Sequence, residues 1–356
     1  MSTDGTQPES MAGHFAEVFA KTGRRLATPS GDASEVRRWQ GEARAKLREL
    51  VGMDRLTPCD LVPRLDQPVE LPDHIRQRVV IRTEPDVEMP LYVLLPKSVP
   101  PPWTAVLALH GHCGGGKAAV AGVRDNPAIA SAIDVFNYDY GVQLVREGFI
   151  VFCPDARGMG ERREPEHAGD PLAASCFLLA HMSLPLGGTV AGMWAWDVSR
   201  LIDYVQARAD CLGGPIGCVG LSGGGLQTLY SSALDERIAA AVISGYMYGF
   251  AESLIEQAGN CPCNFVPHLY EYFDCGDIAA LIAPRPLVVE TGDSDPLNGR
   301  SGLGNVRPQA ETIRRAYEAL GAGNDFRHVI FEGEHRWHGE VSIPFIKRHL
   351  TGGPLA

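Results

Sequence analysis

The period of hydrophobic and polar positions changes along the chain, and the changes mark its plan. Residues 1–12 carry no period and read as disordered. From Phe15 to Leu50 apolar residues recur at helical spacing in two stretches broken at TPSGD (28–32). The second stretch, Val36 to Leu50, sets Trp39, Ala43, Leu47 and Leu50 on one side with charges between them. Residues 58–75 are rich in proline and read as a connector. QRVVIRTE (77–84) and VEMPLYVLLP (87–96) then alternate or run apolar, which predicts an antiparallel hairpin at a sheet edge.

Beyond the PPP linker (100–102) short continuous apolar runs alternate with helical patterns. The runs predict strands at 104–111, 149–158, 215–221, 239–246, 285–292 and 326–333. The intervening patterns predict helices at 134–147, 190–209, 223–234, 306–320 and near 341–350. Such alternation belongs to an α/β fold with a mostly parallel central sheet covered by helices on both faces. The division this implies is an N-terminal helical extension or cap with its connector at 1–70, and the main domain at 71–356. The extension reads equally as an arm packed on that domain or as a contact between copies in a homo-oligomer.

Composition narrows the function classes. The 356 residues suffice for one large domain with a large core, and 45% hydrophobic against 21% charged content is ordinary for a globular protein. A formal net charge of −11, with no basic patch, argues against nucleic acid as a partner. No apolar run approaches the roughly 20 residues needed to span a bilayer, so no membrane association is expected. MSTDGTQPESMAGHF lacks a basic segment followed by an apolar one, and no secretory signal is read there. Nine scattered cysteines, an odd number, fit reduced thiols and a cytoplasmic location better than a disulfide framework.

Candidate chemistry concentrates in PIGCVGLSGGGLQTLYSSALD (215–235). An apolar run ends at Leu221, and Gly220, Ser222 and Gly224 form G-x-S-x-G at the start of a helix, the pattern of a nucleophile elbow. Side chains at the flanking positions would collide with the strand and helix of so tight a turn. In parallel sheets functional groups gather beyond the carboxyl ends of the strands. HGHCGGGK (110–117), GDSDP (292–296) and GEHRWHG (333–339) each follow a predicted strand, so an acid and a base follow Ser222 in the order Ser, Asp, His. The acid is Asp295 or Asp293, with Asp295 favoured because it lies past the turn leaving the strand. The base is His335 or His338, with His335 favoured because it lies nearer the strand end. The glycine-rich 110–117 loop reads as an oxyanion loop, the N–H of His112 or its neighbour joining that of Gly223.

Other readings are weaker. Gly111, Gly116 and Lys117 match the spacing of a phosphate-binding loop, but Ala118 stands where a Mg²⁺-binding hydroxyl is needed. His110 and His112 as metal ligands lack a carboxylate partner. Cys261 and Cys263, with Cys275, lack a second cysteine pair and read as buried thiols or a local crosslink. No metal or organic cofactor is expected. Arg157 in DARGMGER (155–162) reads as structural, paired with an acidic residue. Met247, Tyr248 and Phe250, directly after a predicted strand, are candidates to line a substrate pocket, as is Trp194; packing is the competing reading for all four.

With these residues placed, the chain resembles α/β-hydrolase-fold esterases of the dienelactone-hydrolase and acetyl-xylan-esterase-like type. The resemblance rests on HGHCGGGK, PDARGMGER, GLSGGG, the segment 260–287, ETGDSDP and FEGEHRWHG, and covers about residues 78–350. It implies the α/β-hydrolase fold, Ser222 as nucleophile, Asp295 as acid, His335 as base, and Gly223 with His112 as oxyanion donors. Dienelactone hydrolases proper carry cysteine at the elbow, whereas this chain carries serine. The expected activity is hydrolysis of small-molecule carboxylic esters, such as acetylated sugars or metabolites, through an acyl-enzyme. Peptides, thioesters and carbon–carbon bonds β to a ketone are cleaved by the same constellation, and a catalytically silent binding protein is the non-enzymatic alternative.

Overall fold

Continuous β-branched and alanine-rich runs can bury both faces of a strand, and they form the middle of the sheet. In the computed structural model, which describes residues 11–257 and 260–352, the strands are β1 (Arg64–Leu65), β2 (Val69–Glu70), β3 (His74–Glu84), β4 (Val87–Pro96), β5 (Ala105–Leu109), β6 (Ile150–Pro154), β7 (Ile216–Leu221), β8 (Ile238–Ser244), β9 (Leu287–Gly292) and β10 (Phe326–Phe331). The helices are α1 (Met11–Lys21), α2 (Ala33–Leu50), α3 (Lys117–Val120), α4 (Pro127–Phe136), α5 (Tyr140–Arg146), α6 (Cys176–Ser183), α7 (Val190–Ala207), α8 (Gly223–Leu234), α9 (Leu269–Tyr272), α10 (Cys275–Ala280), α11 (Leu303–Ala319) and α12 (Ser342–Thr351). The strand order is β1-β3-β4-β6-β5-β7-β8-β9-β10, with β2 also paired to β3. From β6 to β10 every pairing is parallel, whereas β3, β4 and β6 run antiparallel to their neighbours on that side.

Every residue of β5, β6, β7 and β9 is buried. Three hydrophobic clusters surround the sheet. The edge hairpin forms as its alternation predicts, and the proline-rich connector adds the two short strands β1 and β2 to its outer side. Helix α2 begins at an Asp32 cap that accepts from the amides of Ser34 and Glu35. Its buried residues Val36, Trp39, Ala43 and Leu47 share one cluster with α8 and α10. The Gln40 amide donates to the carbonyls of Ala280 and Ala283, at 3.2 and 2.7 Å.

Several elements depart from the sequence pattern. Part of the segment read as disordered, residues 1–10, lies outside the described residues, but Met11 and Ala12 begin α1. The expected helix at 134–147 is two helices, because Asn137 caps α4 in the left-handed conformation (φ 51°) and Tyr138 and Asp139 lead into α5. The strand expected at 149–158 stops at Pro154, after which the chain loops under the site. Among the described residues, no single helix is long and apolar enough to cross a membrane.

Candidate active site

At the end of β7 the backbone turns sharply at Ser222, whose φ of 60° and ψ of −121° lie in a region that non-glycine residues rarely occupy. The turn is held by the Ser222 amide donating to the Ser244 carbonyl on β8 and by the first α8 bond, from the Leu226 amide to the Ser222 carbonyl, each 2.9 Å. The glycines are sterically required. A Cβ on Gly220 would lie 2.3 Å from the Gly224 oxygen, and one on Gly224 would lie 1.8 Å from the Leu109 oxygen. The hydroxyl is thereby presented at the carboxyl end of the central strand and at the N-terminus of α8, where partial positive charge favours an anion.

The loop after β5 lies against this elbow. A Cβ on Gly111 would meet the Gly223 nitrogen and the Ser222 Cβ, each at 2.9 Å, so only glycine allows the two backbones to touch. The Tyr138 hydroxyl accepts from the Gly111 amide at 2.7 Å and donates to the His112 carbonyl at 3.1 Å, fixing the loop. Burial holds the Tyr138 phenol protonated by raising its pKa well above 10. The amides of His112 and Gly223 donate to no group among the described residues. His110 is buried and serves as scaffold: its Nε2 accepts from the Ala156 amide at 3.0 Å, and its carbonyl accepts from Gln227 at 2.8 Å. Burial lowers its pKa, which keeps the imidazole neutral for that acceptor role. Lys117 is held by Asp155 and Glu161, with its Nζ 2.5 Å from the Asp155 carboxylate, and this ion pairing removes the lysine needed for a phosphate-binding loop.

Beyond β9, Asp295 is buried and its Oδ2 lies 2.6 Å from Nδ1 of His335, while its Oδ1 accepts from the Leu297 amide at 2.8 Å. The His335 ring lies over Gly245, where an added Cβ would come within 2.8 Å of its Cε1. Gly245 follows Ser244, the residue whose carbonyl anchors the Ser222 amide. The two alternates are occupied elsewhere. Exposed Asp293 accepts from the Gly333 amide at 3.1 Å and the Ser294 hydroxyl at 2.9 Å, and these bonds lower its pKa. His338 stacks on Phe331, with ring centroids 4.6 Å apart and planes 1° from parallel.

Trp194, Met247, Tyr248 and Phe250 are at most 2% exposed and lie in the main core. The Trp194 indole donates to the Arg157 carbonyl at 3.0 Å, and Phe250 packs on Tyr270. Arg157 pairs with Asp197 and Glu84, and Arg162 joins Asp197 from the other side, which braces the loop beneath the site. Glu290 was not singled out from the sequence. It is fully buried on β9 and accepts from the amides of His338 and Gly339 and from the Ser342 hydroxyl, so it anchors the chain just after His335. Its signal was a lone acid inside an otherwise apolar strand.

A further cluster lies against the oxyanion loop. His112, Cys176, Cys261 and Cys263 bring their ligand atoms within 4.8 Å of one another. The pattern reading of Cys261 and Cys263 lacked the other two members, because Cys176 lies on α6 and His112 on the β5 loop. Cys275 is elsewhere, with its thiol toward the Tyr246 carbonyl. All nine cysteines are free, so the local crosslink considered for Cys261 and Cys263 is not formed.

A parallel sheet with a strained serine between its central strand and the following helix, and an Asp–His pair beyond later strands, defines the α/β-hydrolase fold. The chain matches the Abhydrolase family over residues 32–329 and belongs to it. It is similar to "Putative hydrolase YtaP" of Bacillus subtilis (strain 168), with 27% identity over 268 residues, 73% of this chain and 82% of that protein. Among solved structures it is similar to a protein of Bacteroides fragilis NCTC 9343 described as a putative acetyl xylan esterase. That likeness has a TM-score of 0.75 at 20% identity and covers 94% of this chain and 84% of the other. A glucuronoyl esterase from Solibacter usitatus gives a TM-score of 0.68 at 18% identity, covering 92% and 97%. At these identities the structural likenesses establish the fold.

Proposed function

We propose that the protein is a serine hydrolase of carboxylic esters, acting on small acyl esters, such as acetyl esters of sugars or metabolites. The observation that carries this reading is the buried Asp295 carboxylate 2.6 Å from Nδ1 of His335, with that ring over Gly245, the residue after the Ser244 carbonyl that holds the Ser222 amide. Asp295 holds the imidazole with Nδ1 as donor, which leaves Nε2 as the proton acceptor. His335 takes the Ser222 proton as Oγ attacks the ester carbonyl. The amides of Gly223 and His112 receive the developing oxyanion, and His335 returns the proton to the leaving alcohol. Water then attacks the acyl-enzyme by the same proton route, releasing the acid and restoring Ser222. The names carried by the structural relatives, acetyl xylan and glucuronoyl esterases, fit ester bonds on carbohydrate as the substrate class.

The extension at 1–70 acts in this reading as a brace on the domain at 71–356, through α2. Nine unpaired thiols fit a reducing, cytoplasmic setting. The test is labelling by a fluorophosphonate probe together with turnover of p-nitrophenyl acetate. Both are expected in the wild type and absent in Ser222→Ala; labelling that persists in the variant overturns the assignment of the nucleophile.

A further inference from the structure

We propose that His112, Cys176, Cys261 and Cys263 form a closed tetrahedral site for a zinc-class divalent metal, which ties together the loops framing the active-site mouth. The four ligand atoms come from three separate segments: the loop after β5, the first residue of α6, and the Cys261–Cys263 turn ahead of α9. Nε2 of His112 lies 3.5 Å from Sγ of Cys176 and 3.8 Å from Sγ of Cys263. A tetrahedral ion with Zn–N of about 2.0–2.1 Å and Zn–S of about 2.3 Å needs N···S edges of about 3.6 Å. These two N···S edges match that shell, and all four ligand atoms lie within 4.8 Å of one another.

The donor chemistry points the same way. Three thiolates and one imidazole select zinc-like ions over magnesium or calcium, which take oxygen. Four protein ligands leave no open position for a reactive water, so the site is structural and supplies no nucleophile. Cys176 and Cys263 are buried, and Cys176 opens α6, where the helix N-terminus favours a thiolate. The Asn264 amide approaches the Cys263 sulfur at 3.7 Å and is itself held to the Cys261 carbonyl at 2.9 Å, an outer hydrogen bond of the kind that orients a ligand. Binding a divalent cation needs the thiols deprotonated and Nε2 of His112 free of its proton, and the displaced protons leave to solvent.

The position gives the site a consequence for chemistry. With Nε2 on the metal, His112 carries its proton on Nδ1, the atom 2.8 Å from where a Cβ on Gly223 would stand. The metal would therefore fix the ring and backbone of a residue placed at the oxyanion hole. That consequence rests on the esterase reading, whereas the metal site does not.

The experiment uses the full chain purified under reducing, chelator-free conditions. Elemental analysis is expected to give about one zinc per chain. Cobalt exchange is expected to give a sulfur-to-cobalt charge-transfer band with the intense visible bands of a tetrahedral site. Cys261→Ser and Cys263→Ser should each lose the stoichiometric metal and the charge-transfer signature, while Cys59→Ser, outside the cluster, should keep both. Circular dichroism identifies any variant that fails to fold, and zinc added back to chelator-stripped wild type should raise its thermal midpoint. Ser222→Ala should keep the full cobalt spectrum, which separates failure of the esterase reading from failure of this one. Three results overturn the proposal: no metal and no cobalt band in folded, reduced wild type; metal retained by both cysteine variants; or a disulfide joining Cys176 to Cys261 or Cys263 in freshly purified protein.

Discussion

The loop from His110 to Gly116 has two chemically different sides. One lies against the Ser222 elbow; the other, through His112, meets three thiols. The Ser222, Asp295 and His335 side is assembled by the sheet, because each residue follows a parallel strand that emerges at the same edge. The thiol side is assembled by loops and one short helix, and no strand register relates Cys176 to Cys261 or either to His112. The first arrangement tolerates changes in loop length, because the strands fix where each residue emerges. The second depends on three surface segments keeping their relative positions, which is the task a crosslinking metal performs.

The largest expected effect breaks the first side alone. Ser222→Ala should reduce kcat for p-nitrophenyl acetate by on the order of 10⁴–10⁶, with the cobalt signature of the thiol side intact. Residual activity within tenfold of wild type would remove the serine from the mechanism. Next, Asp295→Asn should lower kcat by on the order of 10³–10⁴, because the imidazole loses the acceptor that fixes its tautomer. Asp293→Asn, at an exposed loop-capping acid, should change kcat by less than about threefold, the size of a small surface effect. Equal losses in the two variants would refute the choice of Asp295 over its neighbour.

A smaller effect tests the loop between the two sides. Tyr138→Phe removes the hydroxyl that bridges the Gly111 amide and the His112 carbonyl. Losing that support, about 1–2 kcal/mol, should lower kcat roughly tenfold with little change in KM, provided the loop positions an oxyanion donor. A change confined to KM would mean that the loop binds substrate without stabilising the transition state.

The mildest prediction concerns the brace beneath both sides. Burial pushes the Asp197 carboxyl up, but Arg157 and Arg162 outweigh it and hold its pKa at about 2, below the ordinary 3.8. A folded-state pKa below the unfolded one stabilises the protein above about pH 4, and the contribution is lost as pH falls through about 2. The difference in thermal midpoint between wild type and Asp197→Asn should therefore be full at about pH 6 and shrink at about pH 3. A difference that grows on acidification would contradict the charge assignment.

Much of the site was legible because its determinants are local. The glycines around Ser222 are demanded by a turn whose clashes involve near neighbours and the adjacent β5 end, so they leave a short motif. The choice of Asp295 over Asp293 and of His335 over His338 followed from position after a strand; in the structure Asp293 accepts hydrogen bonds within its loop and His338 stacks on Phe331. Glu290 was missed because a single acid in an apolar strand has no motif. The division of residues 134–147 into two helices was missed because Asn137 fits a helical pattern until its left-handed conformation is seen. Three positions after a strand end, Met247, Tyr248 and Phe250, and Trp194 on a helix were candidates for a pocket, and the structure places all four in the core, which the sequence pattern does not distinguish.

The amino-acid sequence by itself determined the parallel sheet, the strained turn and the positions of Asp295 and His335 after later strands, because hydrophobic period and steric exclusion act over a few residues. The tertiary structure alone decided that a histidine and three cysteines from three segments lie in one cluster. It likewise decided that Glu290 ties down the chain after His335 and that Lys117 is spent on an ion pair. Those contacts are fixed by how loops close over the sheet, and side-chain distance across a fold has no counterpart in spacing along it.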